Sequence, residues 1–168
     1  FLTLVEAIDS TTHPRAKHPV PDQQLKVPAI PLEAQEIERA RQKLFAKAPK
    51  LAGKKIVLVY PGGGLLPIRA WPLANYCTLT KALLQRGYAV CVIGLAQDKA
   101  IAGEILAQTG SQSCVDLTGY TKTIRELMLI FHFAALLITN DGGPGHFAAM
   151  TPIPAIIFYG PETPTLYG

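Results

Sequence analysis

The residues best suited to bind a ligand follow an apolar run late in the chain. Five apolar residues, 134–138, lead directly into the sequence Thr139-Asn140-Asp141-Gly142-Gly143-Pro144-Gly145-His146. This pattern is typical of a buried strand that ends in a turn and continues into a helix, with the proline in the first helical turn. Because the first amides of a helix are unpaired and its dipole is positive there, the motif predicts a site for an anion.

Two side chains of this motif are candidates for direct contact with a ligand. Asp141 can accept hydrogen bonds from sugar hydroxyls or cap the following helix, and the two roles are compatible. Gly143 lies closer than Asp141 to the cap position itself. His146 falls in the first helical turn, where a histidine packs or forms hydrogen bonds more often than it reacts, although the same position allows it to face the ligand.

A second glycine-rich loop follows another apolar segment. The residues Ile56–Tyr60 predict a buried strand, and Pro61-Gly62-Gly63-Gly64 follows it. Three glycines let the backbone approach a ligand closely, although a tight turn between strand and helix explains them equally well. The loop lacks the third glycine of the dinucleotide fingerprint and a following Gly-Lys-Ser/Thr. A phosphate therefore needs another partner, and Arg69 can donate paired, charge-assisted hydrogen bonds or be an ordinary surface arginine.

Two further charged residues are candidates for contact with a nucleotide. Lys122 precedes Thr123-Ile124-Arg125-Glu126, which matches the capping box of a helix, and it is either a second cation of the site or a surface lysine. Asp98 begins a predicted helix after the second strand, near the place where a nucleotide ribose lies in such folds. The carboxylate of Asp98 is equally well explained as a helix cap.

The sequence lacks several patterns that would indicate chemistry within this chain. It contains no Ser-His-Asp arrangement, no pair of carboxylates set for glycoside cleavage and no metal-binding cluster. Cys77, Cys91 and Cys114 are widely spaced and lie among apolar residues, so we expect core thiols of a reduced compartment. The sequence therefore predicts a site that binds a nucleotide diphosphate without a cofactor, with any general base located elsewhere.

The elements that must position these residues alternate between strand and helix. Predicted strands are Ile56–Tyr60, Ala89–Ile93, Cys114–Leu117, Leu136–Thr139 and Ala155–Phe158, and predicted helices are Leu32–Ala48, Leu73–Arg86, Asp98–Gln108, one from Thr123 to about Ala134 and a short one from Pro144. Apolar strands separated by helices indicate an α/β fold, a Rossmann-like doubly wound parallel sheet. Right-handed crossovers favour the strand order 3-2-1-4-5, which brings the loops after the first and fourth strands together at one crevice.

The composition divides the chain into two predicted parts. Residues 1–31 contain five prolines and predict the end of a preceding domain and an extended connector, whereas residues 32–168 predict one nucleotide-binding domain. Seven basic residues between Arg39 and Lys55 favour the solvated face of a helix over a surface for anionic lipid or acidic saccharide. Nucleic acid is a poor fit as a partner, because no aromatic residues are interleaved with these charges.

Three segments together resemble glycosyltransferase family 9, the family of the lipopolysaccharide heptosyltransferases. They are Pro61-Gly62-Gly63-Gly64 through Arg69-Ala70-Trp71-Pro72, Asn140 through Ala149, and Phe158-Tyr159-Gly160-Pro161. The resemblance covers about Lys54–Pro164 and implies the second, donor-binding domain of a two-domain GT-B enzyme, truncated at its C-terminus. Family members transfer heptose from ADP-heptose to the inner core of lipopolysaccharide, with inversion and without a required metal.

The resemblance also implies roles for individual residues. Gly64 and Leu65, with the neighbouring Gly63, match the loop that contacts the donor phosphates. Arg69 stands where the family commonly has a phosphate-binding lysine, and Lys122 falls near the adenosine. The motif that holds the donor sugar and pyrophosphate is matched by four residues: Asp141, Gly142, Gly143 and His146.

The same resemblance places the rest of the reaction outside this chain. The family's candidate catalytic aspartate and the acceptor site lie in the first domain, so no catalytic residue is expected here. The implied location is cytoplasmic, with peripheral attachment at the inner face of the cytoplasmic membrane. Two alternatives stay open: a non-catalytic nucleotide-binding module or degenerate transferase, and, disfavoured by the missing fingerprint, a dinucleotide-dependent oxidoreductase domain.

Overall fold

A computed structural model gives the fold of this chain and describes residues 30–63, 68 and 70–160. The described residues form one five-stranded sheet in which every pairing is parallel. The strands are β1 (Ile56–Tyr60), β2 (Ala89–Gly94), β3 (Cys114–Thr118), β4 (Leu136–Asn140) and β5 (Ala155–Phe158). The α-helices of this part are α1 (Ala34–Lys47), α2 (Leu73–Gln85), α3 (Lys99–Thr109), α4 (Ile124–Phe131) and α5 (Gly143–Ala148).

The strand order is β3-β2-β1-β4-β5, which confirms the predicted doubly wound topology. β1 lies at the centre, with Val57 beside Val90 of β2 and Leu136 of β4. The chain therefore reverses its direction of winding at β1, and the loops after β1 and β4 leave neighbouring strand ends. Such a switch point is where open α/β sheets bind ligands.

Alternate side chains of the central strand supply two separate cores, as the period of a strand requires. Val57 and Val59 pack with residues of α2 and α3 on one face of the sheet, including Tyr76 and Ile105. On the other face the cluster contains residues of α1, α4 and α5: Leu44, Ile130, Phe131 and Ala148, together with Ile56, Leu58 and Tyr60 of β1. Helices thus cover both faces of the sheet, which explains why its central strands are largely apolar.

The predicted bounds are close to the observed ones, with two differences that have local causes. α4 ends at Phe131 rather than near Ala134, because the N–H groups of Phe133 and Ala134 both turn back to the carbonyl of Ile130. Ala135 then donates to Ile56, which draws the chain into the sheet. The helix expected from Asp98 begins one residue later, after a 3-10 turn at Ala96–Asp98.

Three cysteines are buried free thiols, as predicted: Cys77 of α2, Cys91 of β2 and Cys114 of β3. Burial raises the pKa of the Cys91 thiol to about 12 and also raises the pKa values of Cys77 and Cys114. No helix in the described part is long and apolar enough to cross a bilayer. The predicted connector and domain boundary at residues 1–31 fall almost entirely outside the described residues and stay predictions.

Candidate functional site

One buried amide joins the two loops that were predicted to meet. Asn140, the last residue of β4, is 0% exposed. Its Nδ2 donates to the carbonyls of Pro61 and Gly62, at 3.0 and 3.1 Å, in the loop after β1. Its Oδ1 accepts from the backbone N–H of Trp71 at 2.9 Å and from the hydroxyl of Tyr76 at 2.8 Å. The two loops therefore converge at neighbouring strand ends.

An aromatic cluster packs behind this junction. The Trp71 ring lies 4.5 Å from Phe158 and 5.1 Å from Tyr76, measured between ring centroids. Phe158 is the last residue of β5 and is the register partner of Asn140. Burial raises the pKa of Tyr76 well above its usual range, so its hydroxyl stays a neutral donor to the Asn140 amide. The loop junction thus has an apolar, rigid support.

The motif after β4 turns directly into α5. Asp141 is 8% exposed, and its backbone N–H donates to Phe158 at 2.9 Å, which extends the β4–β5 pairing. The N-cap of α5 is Gly142, one residue before the position we expected, and it has no side chain with which to cap. Gly143 begins the helix, is exposed and is followed by Pro144, as the sequence predicted.

A cavity of about 340 Å³ lies at the carboxyl ends of the strands. Its lining comes from β1, β2, the segment that enters α4 and the start of α5: Tyr60, Ile93, Gly94, Leu95, Thr121, Lys122, Thr123, Ile124, Leu127, Gly143, Pro144 and Phe147. Two large apolar side chains of this lining are unusually accessible, Leu95 at 64% and Ile124 at 50%. The cavity therefore combines accessible apolar surface with the cation of Lys122.

The segment that carries Lys122 is held by the start of α4. Thr123 is the N-cap, and its hydroxyl accepts from the backbone N–H of Glu126 at 3.1 Å. The Glu126 carboxylate accepts from the N–H of Lys122 instead of the N–H of Thr123, so the predicted capping box is shifted by one residue. This hydrogen bond lowers the pKa of Glu126. The Lys122 ammonium donates to the Gly119 carbonyl at 2.8 Å.

Asp98 occupies the turn that follows β2 rather than the cavity wall. Its Oδ2 accepts from the N–H of Leu95 at 2.8 Å and thereby closes the 3-10 turn. A Cβ on Gly94 would lie 2.7 Å from this oxygen, so the glycine makes room for the carboxylate. Of the two roles considered for Asp98, the structure displays the capping one.

The remaining predicted site residues are placed unequally. Lys122 and Gly143 line the cavity, and Gly142 and Asp141 precede Gly143 on the same turn. His146 is exposed on α5 and is absent from the lining of this cavity. Gly63 is half-buried in the loop after β1. The other three predicted contacts, Gly64, Leu65 and Arg69, lie outside the described residues.

Several residues that the structure brings to the site had no predicted role. Leu95 and Ile124 follow the predicted strand and cap as isolated apolar residues, and only their accessibility distinguishes them. Asn140 was quoted within its motif without a function. A polar amide at the end of an otherwise apolar strand was the available signal, since buried polar groups need partners.

A second, smaller cavity lies between α1 and α4. It measures about 250 Å³, and its lining includes Arg39, Lys43, Tyr120 and Thr121. The ammonium groups of Lys43 and Lys47 lie 5.8 and 5.7 Å from the centroid of the Tyr120 ring, within the range of cation–π contacts. Among the described residues, no group of three His, Cys, Asp or Glu side chains is arranged to hold a metal ion.

Comparison with known proteins gives a consistent set of similarities. Residues 15–168 match the model of glycosyltransferase family 9 (heptosyltransferase). The chain is 30% identical over 153 residues to lipooligosaccharide heptosyltransferase 2 of Haemophilus ducreyi, which covers 88% of this chain and 44% of that protein. It is 35% identical over 136 residues to the Haemophilus influenzae enzyme of the same name, covering 76% of this chain and 39% of that protein.

The fold is similar to that of a solved heptosyltransferase. The structure of E. coli ADP-heptose lipopolysaccharide heptosyltransferase II superposes with a TM-score of 0.72 and 28% identity, over 84% of this chain and 42% of that one. The chain thus spans less than half the length of each of these proteins.

Proposed function

This chain belongs to glycosyltransferase family 9, the heptosyltransferase family, and from that premise we propose that it is the donor-binding half of a GT-B glycosyltransferase. The proposed donor is a nucleotide-diphosphate sugar, with ADP-heptose as the first candidate, and the proposed acceptor is the inner core of lipopolysaccharide. The similar E. coli structure, whose protein is named an ADP-heptose heptosyltransferase, supports this choice of donor. No cofactor and no nucleic acid belong to the proposal.

The observation that carries the proposal is the position of the 340 Å³ cavity. It lies at the carboxyl ends of β1 and β2, next to the switch point at which the loops after β1 and β4 are joined through Asn140. Small-molecule sites have volumes of roughly 300–1,000 Å³ and favour this place in an open α/β sheet.

The proposed assignment places the base and ribose of the donor in this cavity. Leu95 and Ile124 offer apolar surface to the base, and Lys122 is the nearby cation. Asp141, Gly142 and Gly143 face the sugar and pyrophosphate at the start of α5. The proposal assigns the phosphates to Gly63, Gly64, Leu65 and Arg69, as the family resemblance implies. Neither His146 nor Asp98 lines the cavity, so His146 is supported by the family resemblance and Asp98 by its place after β2, where a nucleotide ribose lies in such folds.

In the proposed reaction this chain binds and orients the donor and stabilises its leaving group. The departing diphosphate gains negative charge as the bond to the sugar breaks, so the cations of Arg69 and Lys122 and the nearby amides bind the transition state more tightly than the ground state. The group that deprotonates the acceptor hydroxyl is assigned to another part of the protein. The proposed location is cytoplasmic, at the inner face of the cytoplasmic membrane.

A nucleotide screen tests the proposal. Ligand-detected NMR with ADP, UDP, GDP and CMP should show a preference of this chain for ADP. Arg69→Ala should weaken ADP binding roughly 30-fold, since a charge-assisted hydrogen bond contributes about 2 kcal/mol. Arg86→Ala, at an exposed arginine just after α2, is the matched control and should leave the affinity unchanged.

The outcomes separate the alternatives. Preference for UDP or GDP would replace ADP-heptose as the donor, and failure of all four nucleotides to bind would contradict the donor-binding function. A non-catalytic module predicts ADP binding here but no sugar transfer by the longer protein.

A further inference from the structure

We propose that Asn140 is a positioning residue that sets the main-chain amides of the glycine loop for the donor diphosphate. This inference rests on the proposed function, because it assumes that the loop after β1 receives a nucleotide. Asn140 is 0% exposed and is absent from the lining of the cavity. It therefore acts through the residues that it holds rather than by contact with the ligand.

Asn140 holds two consecutive peptide groups of the loop after β1 in a turn. The Nδ2 atom of Asn140 donates both of its hydrogens, to the carbonyls of Pro61 and Gly62. Successive carbonyls of an extended chain point to opposite sides, so two that face one nitrogen require the chain to turn there. In a trans peptide the carbonyl and the next N–H point in opposite directions. The N–H groups of Gly62 and Gly63 are consequently turned away from Asn140.

The N–H groups of Gly62 and Gly63 are available to donate to a ligand. Within the described part of the chain, the N–H groups of Gly62 and Gly63 have no hydrogen-bond acceptor. Gly62 is buried and Gly63 is half-buried, and neither has a side chain that could cover its amide. Buried amides are nearly always paired, so an oxygen-rich ligand is the class of partner that this arrangement favours.

The Asn140 side chain holds both ends of this loop. Its Oδ1 accepts from the N–H of Trp71, two residues beyond Arg69, while its Nδ2 holds the start of the loop at Pro61 and Gly62. Oδ1 also accepts from the hydroxyl of Tyr76, so it keeps a donor, the N–H of Trp71, when the phenol hydroxyl is removed. Since Asp141 and Gly142 follow Asn140 directly, its position also sets the distance between the two ligand loops.

Asn140→Asp tests the inference with little change in volume. The variant keeps an oxygen for Trp71 and Tyr76, but it places a second oxygen against the Pro61 and Gly62 carbonyls, which repels them. The affinity for ADP should fall by at least roughly tenfold, because two hydrogen bonds to the loop are lost. Calorimetry measures the affinity, and the fluorescence of Trp71, the only tryptophan of the chain, monitors the loop.

Tyr76→Phe is the matched control. It removes one of the two donors to Oδ1 and lowers stability, but it leaves the bond from Trp71 to Oδ1 and both bonds from Nδ2 to the loop. It should therefore lower the thermal midpoint while changing ADP affinity by less than about twofold. Equal losses of ADP affinity in Asn140→Asp and Tyr76→Phe would reduce Asn140 to a general stabilising residue and overturn the inference.

A measurement on the unmodified chain covers the case in which Asn140→Asp does not fold. Amide hydrogen exchange of Gly62 and Gly63 should slow when ADP is bound, because their N–H groups then donate to phosphate oxygens. Unchanged exchange at both amides under saturating ADP would overturn the inference and leave the proposed function intact. Absence of ADP binding to the unmodified chain would instead contradict the proposed function itself.

Discussion

Gly62 and Gly142, in the two loops that are proposed to bind the ligand, differ in whether a side chain would fit. A Cβ on Gly62 would lie 2.9 Å from three atoms of the Tyr60 phenol, which is closer than real Cβ contacts. Tyr60 is itself buried against the core and cannot move aside freely. A Cβ on Gly142 would meet nothing within 4 Å. Position 62 is therefore restricted by space, whereas position 142 is open to substitution.

Gly62→Ala should destabilise the chain by about 1–3 kcal/mol, the usual cost of inserting a carbon into a packed region. Gly142→Ala is the control and should change the free energy of unfolding by less than about 0.5 kcal/mol. Urea unfolding of both variants measures the difference. Equal stability of the two variants would show that Tyr60 yields at no cost and would contradict the steric explanation.

At this scale the sequence predicted which residue types gather at the site better than it predicted what each of them does. Lys122 and Gly143 do line the cavity, because their positions follow from the topology of the sheet. The role of Asn140 was beyond sequence reasoning, since its partners lie between 64 and 79 residues away along the chain. The role of Asp98 likewise depends on the backbone N–H of Leu95, whose position the sequence does not contain.

The start of α4 is the element that most directly shapes the cavity. Its N-cap, Thr123, lies in the cavity wall together with Lys122 and Ile124. Thr123 and Glu126 hold this segment through the backbone N–H groups of Glu126 and Lys122. Because the helix is only 8 residues long, the hydrogen bonds of its first turn contribute a large part of its stability.

Thr123→Ala should lower the free energy of unfolding by about 1 kcal/mol, the typical cost of losing an N-cap. Thr78→Ala is the matched control, because the Thr78 hydroxyl donates to the Ala74 carbonyl within α2 and caps nothing. Its effect should stay below about 0.5 kcal/mol. Urea denaturation of the two variants in parallel makes the comparison, and a control as unstable as Thr123→Ala would refute the capping role.

Most elements were predictable because most strands are largely apolar and several helices have a stop signal. Gly110, for example, ends α3 in a left-handed conformation with φ of +59°. The end of α4 was misplaced because the apolar residues continue past it, and the turn at Ile130 depends on the pull of the sheet on Ala135. Such a boundary is set by tertiary hydrogen bonds that periodicity does not contain.

The helical layer that contains α1 carries three basic residues on one exposed face. Arg39, Lys43 and Lys47 recur every four residues along one exposed face of α1. Glu36, on the same helix, is paired with Arg125 at 2.6 Å, which lowers the pKa of this carboxyl. A row of exposed cations, two of which line the smaller cavity, suits an anionic surface, in keeping with the proposed location at the membrane.

Substitution of Arg39, Lys43 and Lys47 by alanine should weaken binding of the chain to vesicles that contain phosphatidylglycerol by about 100-fold, at about 1 kcal/mol for each residue. A matched triple variant at exposed positions of the other layer, Lys81, Arg86 and Lys99, should bind as the unmodified chain does. Co-sedimentation at low salt measures the binding. Equal binding to neutral phosphatidylcholine vesicles would favour the simple solvated face that the sequence suggested first.

The three buried thiols allow opening of the folded chain to be measured by chemical labelling. Cys77, Cys91 and Cys114 lie on a helix and on two adjacent strands, and their raised pKa values keep them protonated at neutral pH. Only an accessible thiolate reacts with an alkylating reagent. The three cysteines are therefore labelled when the chain opens and are protected while it is folded. The rate of alkylation consequently reports how often the folded chain opens. It can rank the variants described above by this rate without an added probe.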